Sequence, residues 1–431
     1  MKAISDMSLR KTMYGIVALY LVIQLVLIFV YFGAEQTSDQ GHYMKVAKEC
    51  YLSGGWYPMQ KHIYDMYIWN LGVINWLVFQ WNIFGTDKLN MFFNMLMNIG
   101  IIYFIYWLAK RFFTPRTAYI SVIICCLLYS SIWSVLPAGS EIPFLFFSLL
   151  AYCIAIHAID LKGEKEVQYI LLLICAGILF AVSNYIRPLV VVFILSLFVY
   201  MFVKKVRWFT YLLVLLPYIA INFCIAKVNY QRVGYHIYQA ETTGVNLMMT
   251  SNDRAYGGVY NELFDDSTST CYIKDMDILT FAEKNKIWVD RSLEWIKQHP
   301  FQYAKLYVIK MFSLWVEDSW AERPILGKLG FSARAREAQS IDDYLWLAKQ
   351  AIFLVLKSLV YYILLVVFVI SVWKNRSEIL SPKGYFLLLL LIGVLVTCIF
   401  PVCARYHYPF MFALIIWAAY GLEKKYFNKI V

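Results

Sequence analysis

Apolar residues run along this chain in long blocks separated by short polar breaks. The blocks are 14–33, 89–109, 117–135, 141–160, 168–186, 188–203, 208–226, 350–373, 384–402 and 409–423. Each approaches the roughly 20 residues with which a helix crosses hydrocarbon while satisfying its own backbone hydrogen bonds. The first follows Lys2, Arg10 and Lys11. It is too long for a signal-peptide core and no small-x-small site follows it, so a retained helix is expected. The block 66–85 is different: Asn70, Asn75 and Asn82 interrupt it, and Trp69, Trp76 and Trp81 favour the headgroup level. It reads as a juxtamembrane or re-entrant helix, with a true span as the alternative.

Charge sets the orientation. With a cytoplasmic N-terminus and 66–85 not crossing, the basic clusters fall on one side. They are Lys2, Arg10, Lys11; Lys110, Arg111, Arg116; Lys162, Lys165; Lys204, Lys205, Arg207; Lys374, Arg376, Lys383; and Lys424, Lys425, Lys429. The short connections opposite hold only Arg187 and Arg405. This is the positive-inside pattern. The nearly neutral segment 227–349 then lies outside. The chain divides into an N-terminal transmembrane module, 1–226, with a first external loop 34–88; an external domain, 227–349, of α or mixed structure; and C-terminal helices in 350–431. Both termini are expected to be cytoplasmic, in a bacterial inner membrane or, alternatively, the endoplasmic reticulum.

Composition agrees. Of 431 residues, 61% are hydrophobic and 16% charged, where soluble proteins carry about 25% charged residues. A soluble enzyme, a disordered chain and a nucleic-acid-binding module are excluded, leaving an all-α polytopic membrane protein of about 10–11 transmembrane helices. The net charge of +11 is met by anionic membrane lipids and requires no nucleic acid. Most cysteines fall in spans; Cys50 and Cys271 lie outside and could pair, and no Cys/His spacing suggests zinc. The sequon at Asn375 falls on the cytoplasmic side.

Sorted by side, the ionisable residues gather on the outer face: Asp39 past the first span, Lys61 and His62 before the re-entrant block, Glu141 opening a span, Arg187 before Pro188, and Arg405 and His407 before Pro409. Singly each has an ordinary reading: Asp39 a solvated loop residue, Glu141 a helix cap, the arginines snorkelling to headgroups, His42 and His407 surface residues, Lys357 another snorkelling residue. Together they suit one chemistry, because charged groups at membrane depth are costly and mark function. A carboxylate can take a proton from an acceptor hydroxyl while two guanidinium groups bind a phosphate and stabilise its departure. A polyprenyl-phosphate sugar presents such a phosphate at the headgroup level.

Several stretches resemble the GT-C superfamily of polytopic glycosyltransferases, in particular the family of the protein O-mannosyltransferases and the bacterial aminoarabinose transferase of lipid A. They are Ser38-Asp39 with Tyr43, Ala47 and Gly54-Gly55; Phe84-Gly85; Ser140-Glu141-Ile142-Pro143; Gly177 through Arg187-Pro188; Thr243-Gly244-Val245-Asn246-Leu247; His299-Pro300 with Lys310; and Arg405-Tyr406-His407-Tyr408-Pro409. They occur in order over about 35–410. The resemblance implies a GT-C-like bundle and an inverting transferase moving a monosaccharide from a polyprenyl-phosphate donor to a lipid, glycan or protein acceptor hydroxyl or amine. It implies Asp39 as base, Arg187, Arg405 and Lys61 as donor-phosphate ligands, and Glu141, Tyr43, His42 and His407 in support. Gln40 stands where many members carry a second acid, and neither metal nor cofactor is expected. An O-antigen polymerase or ligase using diphosphate-linked glycans, and a lipid flippase or transporter, are the alternatives.

Overall fold

A computed structural model describes residues 6–259, 261–327 and 340–426; Lys2 and Lys429 of the basic clusters lie outside the described residues. The described chain is helical throughout. It contains no strand, only an isolated antiparallel bridge between Ile68 and Glu241, so the expected α or mixed external domain is helices and loops.

The bundle is built from unequal pieces. Among the described residues five helices are long and apolar enough to cross a membrane: Asp6–Tyr31, Asn90–Phe112, Glu141–Asp160, Glu166–Ile186 and Phe209–Val233. The other predicted spans are shorter or broken. Pro115–Leu127 and Val191–Val203 have 13 residues each, roughly 20 Å of helix against ~30 Å of hydrocarbon. The 117–135 block breaks at Leu128, which is extended, and resumes as Tyr129–Trp133. The predicted span 350–373 is not one helix: Ile341–Lys357 and Leu359–Lys374 meet at Ser358 at 58°. Ser358 is drawn out of the helical run because its Oγ accepts the Asp318 backbone N–H at 3.1 Å. This helix runs through the predicted domain boundary at 349/350. Leu71–Phe84, inside the 66–85 block, has 14 residues, roughly 21 Å, too short to cross alone.

Contacts between helix ends give the bundle two chemically different ends. At one, Arg116 pairs with Asp6, Arg111 with Asp160 and Lys383 with Glu378. Phe112 packs on Tyr200 and Phe386 there, and Thr117 donates to Glu423. This end carries the basic clusters. The other end carries Asp39, Glu141, Arg187 and Arg405. Helices alternate between the two, which places helix Met411–Tyr426 through the buried centre.

The external segment has its own small core, around Val245, Met248, Leu263, Phe264 and Trp288. Cys271 belongs to it while Cys50 belongs to the main core, and both are buried free thiols, so the open pairing of the two does not occur. Helix Pro300–Ser313, within the expected external domain 227–349, docks on the bundle. Tyr303, Tyr307 and Lys310 reach the carbonyl end of helix Tyr385–Thr397, donating to the Ile399 and Leu395 carbonyls. Phe301, Val308 and Phe312 face outward. Burial pulls the Lys310 ammonium down to about 8; the electronegative helix end it caps is its compensation.

Candidate functional site

Asp39 stands in the first turn of helix Ser38–Leu52. The chain enters that helix through Ser38 at φ +62°, the left-handed region that a non-glycine residue rarely adopts. Tertiary contacts hold this turn: the Thr37 N–H and hydroxyl both donate to the Pro324 carbonyl, at 2.7 and 3.2 Å. Gly41 accommodates the tight entry, since a Cβ there would lie 2.0 Å from the Gln36 carbonyl.

Glu141 opens helix Glu141–Asp160, and the loop before it is held by a polar ladder. Asn94 donates to the Val135 and Pro137 carbonyls, at 3.2 and 2.9 Å, and Asn98 to Ser134 Oγ at 3.0 Å. Gln36 bonds both the Ala138 N–H and the Leu136 carbonyl at 2.9 Å. Such groups are tolerated inside a membrane bundle because they satisfy loop backbone that water cannot reach. Gly139 leaves room for the carboxylate: a Cβ there would stand 2.5 Å from Glu141 Oε2. Arg187 follows helix Glu166–Ile186, where Gln239 donates to the Asn70 side chain at 2.8 Å and to the Ile186 carbonyl at 3.3 Å. The external segment is thereby pinned beside it.

These groups form an alternating row of charge. Arg405 donates to Asp39 Oδ2. Arg187 Nη1 donates to Glu141 Oε1 at 2.8 Å and to Ser140 Oγ at 3.3 Å. Arg405 Nε lies 3.8 Å from the same Glu141 oxygen, beyond hydrogen-bond reach, and is a buried donor with no acceptor. Arg187 and Glu141 are nearly enclosed, with side chains 8% and 4% exposed, whereas Arg405 and Asp39 are 22% and 27% exposed. The two guanidinium groups share a platform, lying 4.8 and 5.5 Å from the centre of the Tyr406 ring. One end of the row is thus closed and the other open, with an unsatisfied donor between two guanidinium planes.

His42, one turn beyond Asp39, packs 4.7 Å from Trp69, and its Nε2 is buried without a partner. Burial, then nearby Lys45, pushes its imidazole below the usual range, so it is neutral at pH 7. Tyr43, on the same face, is buried against Trp69.

Two of the sequence candidates are not brought to this row. Lys61 pairs with Glu49 at 2.9 Å on the surface, held there because Glu49 sits nearly three turns along the Asp39 helix. His407 points the other way. It is fully buried between the Trp315 and Tyr361 rings, with Nδ1 donating to the Leu314 carbonyl at 2.8 Å and Nε2 3.4 Å from Asp318 Oδ1. Lys357, expected to snorkel, instead pairs with buried Glu322. Residues 317–324 thus wedge into the bundle: Asp318 also accepts from Ser130 Oγ at 2.7 Å, and Pro324 holds Thr37. Asp318→Ala strands the buried Ser130 hydroxyl, so a loss of ~1–3 kcal/mol is expected, measured as a lowered unfolding temperature of the purified protein. Tyr406, Tyr67 and Trp69 were not singled out; Tyr406 lay within the Arg405-to-Pro409 run, and Trp69 read as a headgroup anchor. Among the described residues no group of three or more His, Cys, Asp and Glu could hold a metal ion.

No protein-family model and no curated protein matches the sequence. Solved structures do. The oligosaccharyltransferase of Archaeoglobus fulgidus, in its apo form, aligns over 95% of this chain and 50% of its own, at 11% identity and a TM-score of 0.52. The same enzyme, AglB, in complex with an inhibitory peptide and a dolichol-phosphate aligns over 96% and 50%, at 12% identity and 0.50. ArnT of Cupriavidus metallidurans, bound to undecaprenyl phosphate, aligns over 95% and 78%, at 12% identity and 0.40. The chain spans about half the length of the archaeal enzyme. It is a multi-pass membrane protein with the fold of the GT-C glycosyltransferases.

Proposed function

We propose that this protein is an inverting glycosyltransferase that moves a monosaccharide from a polyprenyl-phosphate donor to an acceptor hydroxyl or amine. The acceptor is a lipid, glycan or protein, and the reaction runs at the external membrane face with both termini cytoplasmic. The observation that carries the reading is the open end of the charge row: Arg405 bonded to Asp39, its Nε without an acceptor, and Arg187 alongside on the same tyrosine ring. A phosphate oxygen supplies the acceptor that Nε lacks, and a second oxygen engages Arg187. The AglB structure, of the same fold, holds a dolichol-phosphate, a lipid monophosphate of the class proposed here.

In the resting site Arg405 occupies Asp39. When the donor phosphate takes Arg405, the carboxylate is released to accept the proton of the incoming nucleophile. That nucleophile attacks the anomeric carbon as the carbon–oxygen bond to phosphate breaks, and the departing charge stays with the two guanidinium groups. Donor binding thus precedes base activation. The wedge 317–324 and the Gln239 contact hold the external segment against both halves of the site, where an acceptor would be presented.

The test is in-vitro transfer by the purified protein in lipid nanodiscs, with polyprenyl-monophosphate sugars competing against the diphosphate-linked forms. Transfer from the monophosphate, inhibited by free polyprenyl monophosphate, is expected. Transfer from the diphosphate alone would move the protein to the polymerase or ligase class.

A further inference from the structure

A small cavity lies where the end of helix Asp6–Tyr31, the start of helix Asn90–Phe112 and the helix carrying Asp39 meet. Its volume is about 30 Å³, room for a group the size of a water molecule or an ammonium. Two residues adjacent in sequence give it opposite charges. Asp87 lines it and is only 5% exposed, and Lys88 is the exposed member of the lining. A tight turn fixes both: the Lys88 N–H donates to Thr86 Oγ1 at 3.2 Å and the Asn90 N–H to the Asp87 carbonyl at 3.1 Å. Gly33 makes room for the lysine. It lies at φ +81°, and a Cβ there would stand 2.9 Å from Lys88 Nζ.

A buried carboxylate is costly unless it is paired. Among the described residues neither Asp87 nor Lys88 has an ion-pair partner. Burial raises the Asp87 carboxyl above its usual range, against the pull of the Trp81 indole and of Lys48 and Lys88 further off. The cavity therefore lacks a small cation on the inside and an anion at Lys88. The two spans that lead away from it are apolar on the outside. Phe92 stands edge-on to Phe29 and Phe32, at 6.4 and 6.3 Å, and Val26, Phe29 and Leu96 are exposed one turn further along the seam. We propose that this cavity binds an aminophospholipid headgroup, with the primary ammonium on Asp87, the phosphate at Lys88 and the acyl chains along the seam. A phosphatidylcholine carries the same charges, but its trimethylammonium is too large for the cavity and has no N–H to give the carboxylate. A phosphatidylglycerol brings no cation at all. Gln36 and Ala138, bonded to each other at 2.9 Å, form a wall of the cavity. Gln36 leads into Ser38-Asp39 and Ala138 into Glu141, so a bound headgroup buttresses the turns that present both carboxylates.

The experiment uses the full chain purified in detergent and titrated with dioleoyl phosphatidylethanolamine, phosphatidylcholine or phosphatidylglycerol, with bound lipid counted by native mass spectrometry. Wild type is expected to bind the ethanolamine lipid roughly tenfold more tightly than the choline lipid, the worth of one charge-assisted hydrogen bond. The ethanolamine lipid should also raise the unfolding temperature. Asp87→Asn is expected to bind the two zwitterionic lipids alike. Lys88→Met, an exposed position that the fold tolerates, is expected to weaken the ethanolamine lipid several-fold. Glycerophosphoethanolamine, which has no chains, is expected not to displace the lipid at equal concentration; displacement would overturn a lipid as the occupant. Equal binding of ethanolamine and choline lipids by wild type overturns the site, as does a preference for phosphatidylglycerol or a preference for ethanolamine that survives in Asp87→Asn. No sugar donor enters the assay, so its failure leaves the transferase reading untouched.

Discussion

Asp39→Asn is expected to lose transfer by roughly 10²–10⁴-fold while folding as the wild type does. The side chain is 27% exposed and its partner Arg405 22% exposed, so the pair is partly solvated and contributes little to stability. The amide keeps the shape of the carboxylate and can still accept from Arg405, but it cannot take a proton. The loss should therefore fall on kcat, with donor KM unchanged or lowered, because the phosphate ligands are untouched and a neutral amide gives up Arg405 more readily than the carboxylate does. Initial rates across a donor series, with the unfolding temperature as control, give the result. A variant retaining wild-type kcat would remove Asp39 from the role of base.

Arg187→Met should strike stability and donor binding together, and the two effects can be separated. Arg187 and Glu141 are almost wholly enclosed, and removing one member of a buried pair leaves an uncompensated charge, at a cost of about 3–5 kcal/mol. Arg405 relieves it little from 3.8 Å. The double variant Arg187→Met/Glu141→Leu is expected to recover most of the lost unfolding temperature, since an apolar pair of similar volume replaces a buried ion pair at little cost. It should not recover donor affinity, because the guanidinium is still missing. Recovery of both together would make Arg187 a purely structural residue, whereas recovery of stability alone marks it as a phosphate ligand.

The positions of the charged groups were legible because sidedness is written in composition. Basic residues cluster at one end of the apolar blocks, so Asp39, Glu141, Arg187 and Arg405 fall to the other, and the structure brings those four together. What could not be read was which neighbour each side chain would choose once there. Lys61 and His407 lie at the same end, yet Lys61 turns to Glu49 and His407 to Asp318, choices decided by helix phase and by a wedge far away in sequence. The breaks at Leu128 and Ser358 were equally hidden: hydropathy runs smoothly through both, and the bend at Ser358 arises where a hydroxyl answers the Asp318 backbone. The docking of helix Pro300–Ser313 was also hidden, because tyrosines and lysines dilute its apolar pattern. In the fold those same polar tips grasp the end of a neighbouring helix, leaving phenylalanines outward.

The alternating row from Asp39 to Arg187 sums to zero net charge. Such an arrangement casts almost no field beyond its own neighbourhood, so an anionic lipid approaching through the leaflet feels no long-range pull. Encounter is left to two-dimensional diffusion, and turnover should hardly respond to ionic strength even though the step it serves is electrostatic throughout.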